Sequence, residues 1–151
     1  MSDEFRRIVP ATWSDMDFNR HMGNAAYLNL CTTVRMMHFA DHGVAMADFE
    51  RLHVGPVVFR DEIEYFREVH LLENLSVSLS LLGSSNNGSH FKLRNEIWKA
   101  NGTKAATLVS TGGWMNVTTR KLVVPPDAIK TALDALPRIQ PFEVLQSLVK
   151  G

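Results

Sequence analysis

The polar segment 13–23 holds the side chains whose types and spacing are best suited to chemistry. Asp15 and Asp17 stand two residues apart, and His21 follows them. A loop carboxylate can serve as a nucleophile or as a general base, and a histidine can transfer protons near neutral pH, alone or in a Ser/His/Asp arrangement. The ordinary role of a loop aspartate is a turn or capping hydrogen bond. That role is the competing interpretation for Asp17 and the one that we favour for Asp15.

A long helix is predicted directly after this segment. Apolar residues recur at three- and four-residue spacing over residues 27–40, and the stripe is broad enough for the helix to be covered on most sides. Asn24 is placed to cap the start of the helix, and Gly43 is placed to end it. A short strand is predicted before the loop, over residues 7–12, and a variable loop after the helix, over residues 45–53.

The chain beyond residue 53 changes from helical spacing to period two, which predicts strands. The first is a long strand over residues 56–69, on which Asp61 is the polar exception among apolar residues of one face. The apolar members of that face are Val57, Phe59, Ile63 and Tyr65.

Further strands are predicted by alternation and by turn residues. Leucine and valine alternate with serine over residues 75–81, which is typical of a half-buried strand. Asn87-Gly88 and Asn101-Gly102 tolerate positive φ and predict tight turns around strands at 89–100 and 103–117. Two helices are predicted last, one from Pro125-Pro126-Asp127 through Leu136 and one over residues 141–149.

Together these elements predict a single α+β domain over residues 1–151, with a helical tail from about residue 126. The order of one strand, a long helix and four antiparallel strands suits a curved sheet wrapped around a central helix. An edge of such a sheet stays unpaired, which favours a homodimer formed through that edge, or a homotetramer of two such dimers.

Residues 13–27, WSDMDFNRHMGNAAY, carry a D-x-D loop, a histidine, an asparagine and a tyrosine at fixed offsets. This stretch resembles the signature of the 4-hydroxybenzoyl-CoA thioesterase-like branch of the hotdog superfamily, in which a D-x-D loop and a G-H-x-N-N segment lead into the central helix. Similarity of pattern extends over residues 7–130. Arg20 and Gly23 replace the usual glycine and first asparagine, and Thr32 and Thr33 stand where relatives often carry acidic residues.

The resemblance implies a hotdog fold and the hydrolysis of an acyl-CoA thioester to a free carboxylic acid and CoA. The family's catalytic carboxylate corresponds to Asp17, as nucleophile or general base, and its helix-start amide corresponds to Asn24, as oxyanion donor. His21 is the remaining catalytic candidate, either for ordering the loop or for proton transfer. A second carboxylate could come from Asp61 or Glu64.

CoA carries phosphates, which the protein must bind with nearby cationic or hydrogen-bond-donating side chains. Lysine plus arginine number 16 and aspartate plus glutamate number 16, so no global field attracts nucleic acid or an anionic membrane. Candidate phosphate ligands are Arg60 and Arg67, together with Ser89, to which the family's nucleotide-binding turn corresponds. Thioesters are already activated, so we expect neither a metal nor a separate cofactor, although His38 and His42 are spaced i, i+4.

The sequence also indicates a cellular compartment and leaves two other functions open. Cys31 is the single cysteine, and residues 1–7 mix charges without a following apolar stretch, so we expect no secretory signal and a cytoplasmic location. Two other functions stay open: a non-catalytic hotdog protein that binds acyl thioesters, and a hotdog dehydratase acting on 3-hydroxyacyl thioesters. The acyl group itself is left open, because the same apolar residues serve core and pocket alike.

Overall fold

The helix that follows the aspartate loop is the element around which the other elements are arranged. The computed structural model describes residues 5–150. Within them, the helices are α1 (Asn24–Asp41), α2 (Met46–Leu52) and α3 (Asp127–Asp134), and a short 3-10 turn covers Trp13–Asp15. The strands are β1 (Phe5–Pro10), β2 (Val54–Tyr65), β3 (Asn74–Ser84), β4 (His90–Lys99), β5 (Lys104–Asn116), β6 (Lys121–Val123) and β7 (Arg138–Val144).

The strands form one sheet in the order β1-β3-β4-β5-β2, with β6 added to β5 and β7 added to β3. All pairs are antiparallel except β3 and β7, which run parallel. Gly88 and Gly102 have φ values of +77° and +87°, so both asparagine–glycine turns form as predicted. The sheet and its long helix confirm the predicted α+β architecture. None of the helices within residues 5–150 is long and apolar enough to cross a membrane.

The core lies between α1 and the inner face of the sheet. Cys31 and Val34 on the helix are fully buried, as are the four apolar side chains of β3 from Leu75 to Leu81. Each such side chain contributes roughly 1.5–3 kcal/mol by leaving water. The serines between them were predicted to face solvent, but Ser78 and Ser80 are each 1% exposed. The prediction of a half-buried strand is therefore wrong, because β3 lies in the middle of the sheet and is covered on both faces.

The start of α1 and the segment after it differ from prediction. Gly23 is the N-cap, and Asn24 is the first helical residue. Residues 46–52, predicted as loop, form α2. The Asp48 carboxylate there accepts a hydrogen bond of 2.9 Å from the Ala45 N–H, and Phe49 stacks on the Trp114 ring at 6.4 Å between centroids. A helix of seven residues is too short to show a clear period, so its burial against the core decides its structure.

A bulge in β2 changes which side chains of this strand lie on the inner face of the sheet. Val58 pairs with Gly112 and Asp61 with Ser110, while the register shifts between Val58 and Arg60. Val58, and not Val57, therefore shares the inner face with Asp61. A bulge adds one residue to one strand, so period-two counting is broken at that point.

The last predicted helix, residues 141–149, is also wrong. That part of the chain continues from β7, which pairs with Leu81, Gly83 and Ser84 of β3. β1 covers the same edge of β3 only as far as Leu79, so the far end of β3 needed another partner. The helical tail consists of α3 alone.

Candidate active site at the start of helix α1

The loop before α1 is held by a compact set of backbone hydrogen bonds. Asp17 N–H donates to the His21 carbonyl at 3.0 Å, and Arg20 N–H donates to the Asp17 carbonyl at 3.1 Å. Arg20 has φ +67°, in the left-handed region that favours glycine. The family's glycine, absent here, corresponds to this position. Asp15 accepts from both the N–H and the hydroxyl of Thr12 at 2.8 and 3.0 Å, which confirms its predicted structural role.

The Asp17 side chain lies against the start of α1. A Cβ placed on Gly23, the N-cap residue, would be 3.5 Å from the Asp17 Cβ and 3.7 Å from Oδ2. The other carboxylate oxygen, Oδ1, accepts the Asn19 N–H at 2.8 Å. One oxygen is thus used to fix the side chain, and the other faces the helix terminus. The carboxylate also borders a cavity of about 550 Å³ together with Trp13 and Arg20.

The first N–H groups of α1 are placed to receive a negative charge. The Gly23 N–H donates to the Asp15 carbonyl at 2.9 Å and is therefore occupied. Among residues 5–150, no acceptor is bonded to the N–H of Asn24 or of Ala25. Helix starts leave such groups free, and the helix dipole adds partial positive charge there. No side chain caps this terminus, so the oxygen of a bound ligand would be the hydrogen-bond partner of these two N–H groups.

A cavity of about 300 Å³ opens beside the helix start. It brings together three of the predicted site residues, His21, Asn24 and Arg67. The Nδ1 of His21 is 3.1 Å from the Met22 carbonyl, so this nitrogen donates and fixes the ring. Asp17 does not border this cavity; it borders the cavity of about 550 Å³ described above.

Two residues of this cavity, Tyr65 and Glu68, were not singled out as site residues from the sequence, whereas Tyr27 is the tyrosine of the signature. The Tyr65 hydroxyl donates to the Asn24 carbonyl at 3.0 Å, and the Tyr27 hydroxyl donates to the Arg67 carbonyl at 3.3 Å. Their rings meet edge to face at 5.1 Å. Burial, with the nearby Tyr65 and Glu68 as further causes, raises the pKa of Tyr27. Tyr65 lies at the end of β2 and contacts the start of α1, which is distant in the sequence. The spacing of apolar residues could not reveal this contact.

Arg60 and Ser89, the other predicted CoA ligands, lie elsewhere. Arg60 is ion-paired with Glu62 and borders a separate cavity on the sheet. Ser89 is 1% exposed, and its hydroxyl accepts the Leu148 N–H at 3.0 Å. The C-terminal segment therefore covers Ser89 and occupies its side chain.

Asp61 is exposed and joins a polar network, away from Asp17, whose other members, Arg35, Asn95 and Ser110, are buried. The Arg35 guanidinium donates through Nε to Asn95 Oδ1 at 2.9 Å and through Nη2 to the Ser110 hydroxyl at 2.5 Å. Ser110 in turn donates to the Asp61 carboxylate. Burial lowers the pKa of Arg35, and burial likewise raises the pKa of the nearby Cys31 thiol to about 12. This network was not predicted, because helical spacing places Arg35 on α1 but does not identify its partners on the sheet.

His38 and His42 have structural partners. The buried His38 donates through Nε2 to the Ala132 carbonyl at 2.7 Å, which ties α1 to α3. Its ring lies 4.3 Å from that of His42, whose Nδ1 is 2.9 Å from the His38 carbonyl. Within residues 5–150, no three histidine, cysteine, aspartate or glutamate side chains are grouped so that they could hold a metal ion.

Solved structures share this fold at low sequence identity. A hypothetical protein of Staphylococcus aureus in complex with CoA is 22% identical, with a TM-score of 0.81 over 93% of this chain and 90% of that one. A 1,4-dihydroxy-2-naphthoyl-CoA thioesterase from Synechocystis is 16% identical, with a TM-score of 0.78 over 88% and 97%. A DHNA-CoA thioesterase from Staphylococcus aureus is 16% identical, with a TM-score of 0.74 over 80% of each chain.

A family model gives the assignment. No curated protein sequence matches the chain. The model described as the thioesterase-like superfamily matches residues 11–133, from the aspartate loop through α3. The fold and this match confirm the resemblance drawn from residues 13–27. The chain belongs to the thioesterase-like superfamily and has the hotdog fold.

Proposed function

We propose that this protein is an acyl-CoA thioesterase, which hydrolyses an acyl-CoA to a free carboxylic acid and CoA. The observation that carries the proposal is the position of the Asp17 carboxylate, whose Oδ2 is 3.7 Å from where a Cβ on Gly23 would stand, at the N-cap of a helix whose Asn24 and Ala25 N–H groups are free. Family membership supports thioester hydrolysis in general. The neighbour solved with CoA supports CoA as the thiol component.

In the proposed reaction the thioester carbonyl oxygen accepts hydrogen bonds from the Asn24 and Ala25 N–H groups. Asp17 either attacks the carbonyl carbon, giving a mixed anhydride that water then hydrolyses, or takes a proton from water that attacks directly. In both routes the C–S bond breaks and CoA leaves as a thiolate, which then takes up a proton. The helix dipole and the N–H groups stabilise the negative oxygen as it forms.

His21 and Arg67 have supporting roles in this proposal. His21 borders the same cavity as Asn24, and its Nδ1 is held by the Met22 carbonyl, so its Nε2 is the nitrogen left for proton transfer. Arg67 borders that cavity too and is exposed, which suits a CoA phosphate. Arg60 and Ser89 are weaker candidates, because Arg60 is paired with a carboxylate and Ser89 is buried, whereas Arg67 is exposed and donates to the neighbouring Phe66 carbonyl.

We further propose that the protein forms a homodimer through β2. This strand of 12 residues has β5 as its only neighbour within the described chain, so its other edge is open. Val58 and Phe59 on it are 41% and 50% exposed. An open edge with exposed apolar side chains is a site for strand addition. Light scattering coupled to gel filtration would test it: a monomeric mass for the wild-type protein would refute the dimer.

Asp17→Asn and Asp17→Ala test the catalytic proposal. The assay follows CoA thiol release from a panel of short, long and aryl acyl-CoAs. We expect kcat/KM to fall by about 100-fold or more, because positioned proton transfer contributes at least that much. Asp134→Asn is the matched control, since this exposed carboxylate at the end of α3 pairs with Lys130 and Arg138 and borders neither cavity at the helix start. Equal turnover by the wild-type and Asp17 variants would remove Asp17 from the mechanism.

A further inference from the structure

The first peptide group of α1 joins Asn24 to Ala25 and carries two hydrogen-bonding groups. They are the Asn24 carbonyl and the Ala25 N–H, and because the peptide group is planar and trans they point in opposite directions. Helical geometry directs the N–H toward the start of the helix, where it has no acceptor among residues 5–150. Any contact that fixes the carbonyl therefore fixes the direction of the N–H as well.

Tyr65 donates a hydrogen bond to this carbonyl. Its hydroxyl is 3.0 Å from the Asn24 oxygen, although the two residues are 41 positions apart in the chain. Both residues border the cavity of about 300 Å³ at the helix start. A carbonyl in the first turn of a helix already accepts the N–H of the fourth residue after it, so the Tyr65 hydroxyl uses the second lone pair of the oxygen. This helix has no side-chain cap, and Tyr65 ties its first peptide group to the sheet.

The Tyr65 side chain is itself held in place by the sheet and by a second ring. Its backbone pairs with Ala106 of β5. Its ring meets the ring of Tyr27 edge to face at 5.1 Å between centroids. Tyr27 is buried, and its own hydroxyl donates to the Arg67 carbonyl at 3.3 Å. The Tyr65 hydroxyl therefore approaches α1 from a fixed position, although the residue is 47% exposed.

We propose that Tyr65 is a positioning residue for the oxyanion donors: its hydroxyl holds the Asn24–Ala25 peptide group so that the Ala25 N–H meets the thioester oxygen as negative charge forms there. A donor on the carbonyl also polarises the N–H of the same peptide group, which strengthens the hydrogen bond that this N–H makes. The gain is largest in the transition state, where the accepting oxygen is most negative. This inference rests on the proposed thioesterase function, and Tyr65 itself touches no reacting atom.

Tyr65→Phe tests the proposal, because it removes the hydroxyl and keeps the ring. The substrate is whichever of hexanoyl-CoA, palmitoyl-CoA and benzoyl-CoA the wild-type protein hydrolyses fastest. We expect kcat to fall about five- to tenfold with KM unchanged, the rate equivalent of one hydrogen bond, because the N–H groups remain and lose only their alignment. The free energy of unfolding should change little, since water replaces an exposed hydroxyl.

Thr33→Val is the matched control. The Thr33 hydroxyl likewise donates to a carbonyl of α1, that of Asn29 at 3.0 Å, and it is also exposed. Thr33 borders neither cavity at the helix start. Its variant should keep the wild-type kcat and KM. A wild-type kcat in Tyr65→Phe, a loss confined to KM, or an equal loss of kcat in Thr33→Val would overturn the positioning role.

Nuclear magnetic resonance measures the hydrogen bonds to the acyl carbonyl without turnover. The probe is a hexanoyl-CoA analogue with NH in place of the thioester sulfur and a carbon-13 label in the carbonyl. Hydrogen bonding moves the carbonyl resonance to higher frequency, so the shift on binding should be smaller in Tyr65→Phe than in the wild-type protein and Thr33→Val. Equal shifts in all three proteins would overturn the inference. An absence of hydrolysis by the wild-type protein would refute the thioesterase, and the resonance of the bound analogue would still decide whether Tyr65 aligns the N–H group.

Discussion

Ser110→Ala tests the energetics of the network that joins α1 to the sheet. The Ser110 hydroxyl accepts from Arg35 at 2.5 Å and donates to Asp61. Asp61 is exposed, so water replaces the lost donor there, whereas Arg35 is 5% exposed and Ser110 is fully buried. The substitution therefore leaves one N–H of a buried cation without an acceptor.

The expected loss of stability follows from this difference in burial between Arg35 and Asp61. A hydrogen bond to a charged group contributes about 1.5–3 kcal/mol, and removal of one hydroxyl creates almost no cavity. For a chain of this size each kcal/mol corresponds to about 2–4 °C in Tm, so Tm should fall by about 3–12 °C. Urea unfolding followed by circular dichroism would measure the change in free energy of unfolding.

The control for this experiment is Ser76→Ala. Ser76 lies on the same sheet and accepts only an exposed Arg6 donor at 3.2 Å, so its removal should cost less than about 0.5 kcal/mol. A double-mutant cycle with Arg35→Met would show whether the loss comes from the Arg35 contact. A cost for Ser110→Ala no larger than that of Ser76→Ala would refute the reasoning that this buried cation depends on Ser110.

Three further predictions concern backbone strain, a buried histidine and the last strand. Arg20→Gly should leave the free energy of unfolding unchanged or raise it by up to about 1 kcal/mol, because relief of the left-handed strain at φ +67° outweighs or balances the added chain entropy. Stability should fall as pH drops below about 6.5, because burial lowers the pKa of His38 and only the unfolded chain takes up that proton; His38→Gln should flatten this dependence. Gly83→Ala should cost about 1–3 kcal/mol, since the new Cβ would be 2.5 Å from the Glu143 carbonyl oxygen of β7.

Each of these has its own control, measured by urea unfolding. Arg51→Gly, in the last turn of α2, should instead lose up to about 1 kcal/mol, so an equal loss in Arg20→Gly would contradict the strain argument. His70→Gln, at an exposed position, should keep the wild-type pH dependence. Gly55→Ala places its Cβ 3.7 Å from Val117, an ordinary contact, and should be milder than Gly83→Ala.

The elements with a strong local signal were predicted from the sequence. The span of α1, the two asparagine–glycine turns and strands β3, β4 and β5 all follow from spacing and turn residues. The short α2 was missed because seven residues give too little periodicity, and β7 was missed because its pairing with β3 is a long-range event.

The residues of the candidate site also fall into those that the sequence predicts and those that only the structure reveals. Asp17, His21 and Asn24 were predicted as site residues because they lie within eight consecutive residues that match a family signature. Tyr65 was missed as a residue of this site, since it contacts the start of α1 from a distant part of the chain. Ser89 was predicted to be available to CoA, but the segment around Leu148, predicted as helix, covers it.

The sequence by itself determined the order of the main elements, the family resemblance and the carboxylate at position 17, because these depend on residue type and short-range spacing. Only the tertiary structure decided that the Asp17 side chain lies beside Gly23, the N-cap of a helix with two free N–H groups, and that Arg35 is buried beside an apolar cavity. Contacts of this kind join residues far apart in the chain, and burial removes the water that would otherwise satisfy them.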